Sequence, residues 1–245
     1  MMYLFASIMA LLSVSGAMAP CDLDANIVVI ADGSASVADS DFGKTKSFLA
    51  ELFAQFKPMQ SSGNLKMGLT QFSDDITVEA PLTTNLDSLV TAANAMVQKK
   101  GNTNTREAYL SGLSQLKAST PATSNTQKII VYLTDGLTDG GWVAKLNKMV
   151  NYTAPDAAFA SQFSTAGIKI IDLGLGSKWS MDEFLTMTER SLVQEAGFDT
   201  LHYVTNRIKN LACTMEHECI GECTGKQSTG TLGANVVFKN NFNYA

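Results

Sequence analysis

The chain alternates between two kinds of apolar pattern. A continuous apolar run, which is typical of a strand covered on both faces, occupies residues 27–31, and two further largely apolar strands are predicted at 128–136 and 168–176. Apolar residues at helical spacing predict helices over 39–57, 86–97, 109–116, 157–166 and 181–188. This alternation predicts an α/β fold in which helices cover an open, mostly parallel sheet.

Two further stretches, 65–72 and 76–82, alternate apolar and polar residues one by one. Only Ser73-Asp74-Asp75 separates them, so we expect an antiparallel hairpin. Residues 201–204, with the sequence LHYV, are predicted as a short last strand followed by a helix through Leu211. The prediction is therefore a doubly wound, Rossmann-like sheet of six strands, mostly parallel with one antiparallel edge strand, and with helices on both faces.

The two ends of the chain differ from this central part. Residues 1–19 carry an apolar run that is too short to span a bilayer and end in Ala-Met-Ala, which is typical of a secretory signal peptide. Residues 214–245 are mostly polar and are predicted to be a cysteine-containing tail, which leaves 21–213 as the domain. No other segment reaches membrane-spanning length, so we expect a secreted, extracellular protein.

Charge excludes one class of partner. The net charge is −5 and no run of lysines or arginines occurs, whereas nucleic-acid binding requires basic side chains that neutralise phosphates.

The chain has four cysteines, Cys21, Cys213, Cys219 and Cys223. In a secreted chain an even number favours disulfides, with three possible pairings. A bond from Cys21 to Cys213 would join the two ends of the domain, and Cys219–Cys223 would close a small loop. A zinc cluster formed by Cys213, His217, Cys219 and Cys223 is the alternative, although its spacing is unfamiliar. Asn151 begins the only N-x-S/T sequence and is a candidate glycosylation site.

Polar side chains stand at three places where a ligand site is expected. Asp32, Ser34 and Ser36 directly follow the first strand, Asp135 follows the strand sequence IIVYLT at 129–134, and Thr103 lies in a loop before a helix. In an open α/β sheet, ligands bind beyond the carboxyl ends of the strands. All of these donors are hard oxygens, which select Mg²⁺, Mn²⁺ or Ca²⁺ over zinc or copper. Mg²⁺ usually keeps exchangeable waters, so an acidic side chain of another molecule could replace one of them.

The sequence Asp32-Gly33-Ser34-Ala35-Ser36, with GNTNT at 101–105 and LTDG at 133–136, resembles the metal-ion-dependent adhesion site of von Willebrand factor type A domains. The resemblance implies that Ser34, Ser36 and Thr103 bind the ion directly and that Asp32 and Asp135 act largely through bound waters. It also implies the strand order 3-2-1-4-5-6. The family usually has glycine where Ala35 stands and often a second glycine where Lys100 stands, but neither change removes a ligand atom.

The resemblance implies a non-enzymatic, secreted adhesion or matrix-binding module. Its protein or matrix ligand would present an exposed Glu or Asp to the cation. One alternative is a structural matrix component in which the metal stabilises the fold. The other is a metal-dependent hydrolase, which would normally carry a second Asp two residues after Asp32, where this chain has Ser34.

Members of the family sometimes switch their ligand affinity by moving the last helix. Because the last helix precedes Cys213, a Cys21–Cys213 bond would tether this helix. We therefore predict that the ligand affinity is mostly constitutive.

Overall fold

The computed structural model describes residues 23–60, 64–121 and 123–215. The strands are β1 (Ala25–Asp32), β2 (Lys66–Phe72), β3 (Ile76–Thr83), β4 (Gln127–Thr134), β5 (Gly141–Val143), β6 (Lys148–Val150), β7 (Ile168–Leu175) and β8 (Val193–Ala196). The α-helices are α1 (Asp39–Phe56), α2 (Leu86–Ala95), α3 (Thr105–Ala118), α4 (Ala157–Thr165), α5 (Met181–Met187) and α6 (Leu201–Met215).

Six strands form one sheet in the order β3-β2-β1-β4-β7-β8. Only β3 runs antiparallel to its neighbour, which confirms the predicted fold class and the order implied by the resemblance. Strands β5 and β6 form a separate antiparallel pair. Because β1 and β4 are adjacent and parallel, with Ala31 opposite Leu133, the loops that follow them leave the sheet side by side.

Strand β1 is covered on both faces, as its unbroken apolar sequence predicts. All eight of its residues are buried. Ile27 and Val29 belong to an apolar cluster shared with α1, α2 and α6, whereas Val28 and Ile30 belong to a second cluster shared with α3 and α4. This burial fixes the strand whose carboxyl end carries the candidate site.

The prediction for residues 201–204 is wrong, because they begin helix α6. Leu201, Val204 and Ile208 are buried at helical spacing in the cluster that contains α1, while Tyr203 is 73% exposed. The last strand is instead β8, which pairs with β7. Its sequence, VQEA, carries too little apolar pattern to identify a strand.

Helix α6 reaches Met215, and Cys213 near its end is disulfide-bonded. The other three cysteines lie outside the described residues, as do residues 1–19 and 216–245, so the disulfide pairing, the signal peptide and the tail stay predictions. Among the described helices, none has the length and apolar character needed to cross a membrane.

Candidate metal site

Four of the five predicted ligand residues form one chain of hydrogen bonds at the carboxyl ends of β1 and β4. The backbone N–H of Ser34 donates to Asp32 Oδ1 at 2.7 Å. The hydroxyls of Ser34 and Ser36 lie 2.9 Å apart, and Ser36 Oγ donates to Asp135 Oδ1 at 2.6 Å. Residues that are up to 103 positions apart in the sequence therefore meet at one point.

Thr134 completes the environment of Asp32 and was not predicted from the sequence. Its hydroxyl donates to Asp32 Oδ2 at 2.6 Å, so both oxygens of this carboxylate accept a hydrogen bond. The β1–β4 register places Ala31 opposite Leu133, and the next residue on each strand follows in line. Thr134 could have been found only by assuming that these two strands are neighbours.

The carboxylates of Asp32 and Asp135 are buried, and no described cationic side chain pairs with them. Asp32 is 2% exposed and Asp135 is 6% exposed. Burial, aided by the nearby charge of Asp135, raises the pKa of Asp32 to about 6 although the hydrogen bonds from Thr134 and Ser34 lower it. In the described part of the chain, no lysine or arginine forms an ion pair with either acid. The donor set and its uncompensated negative charge therefore fit a small divalent cation.

The loop that carries Thr103 is tied to the loop that carries the serines. Lys100 N–H donates to Gly33 O at 2.8 Å, and Ala35 N–H donates to Gly101 O at 2.9 Å. These two backbone bonds bring Thr103, which is 4% exposed, to the same edge of the sheet.

Thr103 is also tied to the loop that follows Asp135. Its N–H donates to Asp139 O at 3.2 Å, and Asp139 N–H donates to Thr103 O at 3.1 Å. Thr103 is therefore held by backbone bonds between the segments that carry the other four residues.

Asp74 fixes the turn before Thr103. Its Oδ1 accepts from the backbone N–H of Asn102 at 3.2 Å, from the Asn102 side-chain amide at 2.7 Å and from the hydroxyl of Tyr152 at 3.1 Å. Lys100 and Gly101 have φ values of 61° and 94°, in the left-handed region that favours glycine. A Cβ on Gly101 would lie 2.3 Å from Asp74 Oδ2, so this position requires glycine.

Two glutamines that were not predicted from the sequence form hydrogen bonds with the backbone of the loops at the site. Gln71 is fully buried in β2, and its Oε1 accepts from Lys99 N–H at 2.9 Å. A Cβ on Gly33 would lie 2.1 Å from that oxygen, so Gly33 is needed because of a close approach rather than a left-handed backbone. Gln98 donates to the carbonyls of Ser34 and Val37, both at 2.8 Å. The one feature of the sequence that could have indicated Gln71 is a polar residue within a predicted strand.

The loop after Asp135 is held by Glu183 of α5. The Glu183 carboxylate accepts hydrogen bonds from both the backbone N–H and the hydroxyl of Thr138. Both loops beside the candidate site are thus fastened by a carboxylate from outside it, Asp74 on one side and Glu183 on the other.

Asp172, which has no predicted role, is a buried acid in the middle of the sheet. It is 0% exposed on β7, which lies between β4 and β8, so it is not at a sheet edge. Tyr109 donates to Asp172 Oδ1 at 2.7 Å. Burial, aided by the charge of Glu183, raises the pKa of Asp172 to about 8 although the hydrogen bond from Tyr109 lowers it.

Comparisons with known proteins agree with this architecture. A family model described as the von Willebrand factor type A domain matches residues 26–206. The collagen alpha-1(XX) chain of Mus musculus is 31% identical over 115 residues, which are 46% of this chain and 9% of the collagen chain. The chain therefore spans less than a tenth of the curated relatives it matches.

Two solved structures share the fold at low sequence identity. Proximal thread matrix protein 1 from the mussel byssus, solved with a zinc-occupied MIDAS motif, superposes with a TM-score of 0.66 at 21% identity, over 79% of this chain and 49% of that chain. The vWF domain of the type V pili tip protein Mfa5 from Porphyromonas gingivalis gives a TM-score of 0.66 at 11% identity, over 83% of this chain and 99% of that chain.

Proposed function

Since the chain belongs to the von Willebrand factor type A domain family, a family of protein-interaction and adhesion modules found in extracellular matrix proteins, we propose that it is a secreted adhesion module that binds a protein or matrix ligand through a divalent cation. The ligand presents a Glu or Asp carboxylate to the cation.

The observation that supports this proposal most is the buried pair Asp32 and Asp135, linked through the hydroxyls of Ser34 and Ser36. Two acids at 2% and 6% exposure that have no cationic partner among the described residues are costly. A bound cation would offset that cost and would serve as an electrophile for an outside carboxylate.

Each side chain has a distinct role in the proposal. Ser34, Ser36 and Thr103 offer neutral hydroxyl oxygens as direct ligands. Asp32 and Asp135 hold coordinated water and supply negative charge. Because the direct donors are neutral, a bound ion keeps most of its attraction for an incoming carboxylate.

Mg²⁺ is the proposed cation, with Mn²⁺ or Ca²⁺ as substitutes, because every donor is a hard oxygen. Among the described residues, no group of three His, Cys, Asp or Glu side chains is placed to hold a metal, so hydroxyls must take part in binding. The zinc in the related mussel protein makes Zn²⁺ a competitor that should be measured alongside Mg²⁺.

Calorimetric titration with Mn²⁺ tests the metal site directly. We expect the natural protein to bind one ion, and Asp32→Ala and Ser36→Ala to reduce its affinity at least about tenfold, which is about 1.4 kcal/mol. Ser47→Ala is a matched control, because it removes an exposed hydroxyl on α1 that bonds only to Gly43 O. Equal affinities in all four proteins would refute the site.

Binding to extracellular-matrix extracts tests the adhesion function. We expect capture of matrix protein in Mg²⁺, and loss of capture in chelator and for Asp32→Ala, while circular dichroism shows an intact fold. Capture that chelator does not affect would contradict a cation-mediated contact.

Two alternative functions predict different results in simple measurements. A structural matrix component with a stabilising ion would change its size or melting temperature on adding Mg²⁺ without capturing a ligand. A hydrolase would turn over phosphate or carboxylate esters, although the chain carries Ser34 where such enzymes normally need a second acid.

The remaining features of the proposal concern processing. We expect cleavage of residues 1–19, a disulfide between Cys21 and Cys213, a second between Cys219 and Cys223, and a glycan at Asn151. Asn151 and Thr153 are both exposed in a segment without regular secondary structure, as an acceptor sequence requires.

A further inference from the structure

The segment that follows Asp135 exposes an unusual concentration of apolar side chains. Eight large apolar side chains are exposed in the described residues, and four of them lie within residues 137–149. Their exposed fractions are 49% for Leu137, 54% for Trp142, 50% for Leu146 and 66% for Met149. Exposed apolar side chains that cluster in this way mark interaction sites more often than isolated ones do.

Strands β5 and β6, which we call the ribbon (141–150), have one buried and one exposed face. Trp142 is paired with Met149 across the ribbon, so both side chains lie on the same face. Val143, which points to the other face, is 1% exposed. The ribbon is therefore anchored by Val143, and the Trp142–Met149 pair is available for contact with another molecule.

The ribbon is fastened to the loop that carries Thr103. A Cβ on Gly141 would lie 2.6 Å from Asn102 Oδ1, so the two residues are in close contact. Tyr152, just after the ribbon, donates to the same Asp74 oxygen that accepts from Asn102. Near the other end, Lys145 forms an ion pair with Asp75.

These contacts set the distance between the cation ligands and the apolar pair. Trp142 and Thr103 are each one residue away from the touching residues Gly141 and Asn102, which keeps their backbones within about 15 Å of each other. An extended peptide covers about 7 Å in two residues. One ligand segment is thus long enough to reach both the cation and the ribbon.

We infer that the ribbon is the second half of the ligand site, and that it selects a protein segment in which a large apolar side chain stands within three residues of the acid. This inference rests on the proposed function, because the acid is the carboxylate that reaches the cation. The net charge of −5 disfavours an anionic membrane as the occupant, and no run of basic residues is present in the sequence.

Selection from a phage-displayed library of random heptapeptides tests the inference without a known ligand. The library is panned on the natural protein in Mn²⁺ and in chelator, and on three variants. These are Asp32→Ala, the double variant Trp142→Ser/Met149→Ser, which we call the ribbon variant, and Tyr203→Ser. Tyr203 is a matched control, since it is an aromatic residue that is 73% exposed on α6. Mn²⁺ titration and thermal melting confirm that the ribbon variant is folded and binds metal.

We expect Mn²⁺-dependent peptides from the natural protein to carry Glu or Asp together with Phe, Trp, Leu or Met within three positions. The ribbon variant should still select the acid but lose the apolar preference, and Tyr203→Ser should behave like the natural protein. Replacing the apolar residue of a selected peptide by Ala should weaken binding at least about tenfold to the natural protein and by less than about twofold to the ribbon variant.

The results distinguish a failure of this inference from a failure of the proposed function. Acidic peptides without an apolar preference, or a preference that survives in the ribbon variant, would overturn this inference and leave the proposed function standing. Peptides that bind equally in chelator would remove the proposed function and this inference with it. A dimer in size-exclusion chromatography that the ribbon variant abolishes would instead assign the face to a second copy of the chain and overturn the inference.

Discussion

Replacing Asp172 by Asn should change how the stability of the protein depends on pH. In the folded state burial raises the pKa of this carboxyl to about 8, from an ordinary value of 3.8. Between those values the unfolded chain is ionised at this position while the folded chain binds a proton. Folding therefore takes up one proton, and the stability contributed by Asp172 falls as pH rises from about 4 to about 8.

The size of the effect follows from the same two pKa values. Each pH unit in this window costs about 1.4 kcal/mol. At pH 7 the carboxyl destabilises the fold by about 4 kcal/mol relative to a side chain that does not titrate. Asn has nearly the same shape, and its carbonyl oxygen can still accept the hydrogen bond that Tyr109 donates at 2.7 Å.

Urea unfolding at several pH values measures the effect. Both proteins are studied in chelator, so that Asp32 is in the same state in each. The free energy of unfolding of Asp172→Asn minus that of the natural protein should increase by about 1.4 kcal/mol per pH unit between about pH 5 and 7.5, and level off above about pH 8. Asp199→Asn, which removes a carboxylate from a side chain that is 85% exposed, is the control and should give a nearly constant difference.

The change of the free-energy difference with pH is more informative than the size of that difference at any single pH. The second oxygen of Asp172 is buried and has no hydrogen-bond partner in the described residues, so the amide that Asp172→Asn introduces there carries a fixed cost of its own. That cost shifts the whole curve but does not tilt it. A difference that stays flat from about pH 5 to 8 would show that Asp172 titrates normally and that burial does not raise its pKa.

Three further predictions concern the site and its surroundings. Gly101→Ala should weaken Mn²⁺ binding at least about tenfold, because a Cβ at φ 94° would lie 2.3 Å from a carboxylate oxygen, whereas Gly43→Ala, with nothing within 4 Å, should leave calorimetric affinity unchanged; equal affinities would contradict the geometry. Asn151 should carry a glycan when the chain is secreted from eukaryotic cells, seen as a mass loss on glycosidase treatment that Thr153→Ala abolishes, and an unchanged mass would refute it. Hydrogen exchange of α6 should not respond to Mg²⁺ or to a selected peptide, since Cys213 is disulfide-bonded, and faster exchange on binding would count against a tethered helix.

The sheet was predictable because β1, β2 and β3 carry patterns that depend only on local sequence. The unbroken apolar run of β1 and the alternation in β2 and β3 each specify a strand, and the structure confirms them. Strand β8 was missed and residues 201–204 were predicted as a strand because their local sequences carry weak patterns. Packing of β8 against β7, and of α6 against α1, decides the structure of this region.

The candidate site was predictable as a set of residues but not as a structure. Asp32, Ser34 and Ser36 lie close in sequence, and their grouping needs only the turn after β1. The residues that hold the site together do not share that property. Asp74 and Glu183 act across 28 and 45 positions of sequence, and nothing near them in the chain indicates which backbone they fasten.

The two tryptophans report on different parts of this molecule. Trp179 stacks on Phe184, with ring centroids 5.2 Å apart, and donates to Gly176 O at 3.1 Å, so its emission reflects the packing between the sheet and α5. Trp142 is the only other indole in the chain and is 54% exposed on the ribbon. A Trp179→Phe protein would therefore fluoresce from a single water-facing indole beside the site, and a blue shift of that emission would report occupancy of the ribbon in real time without any added label.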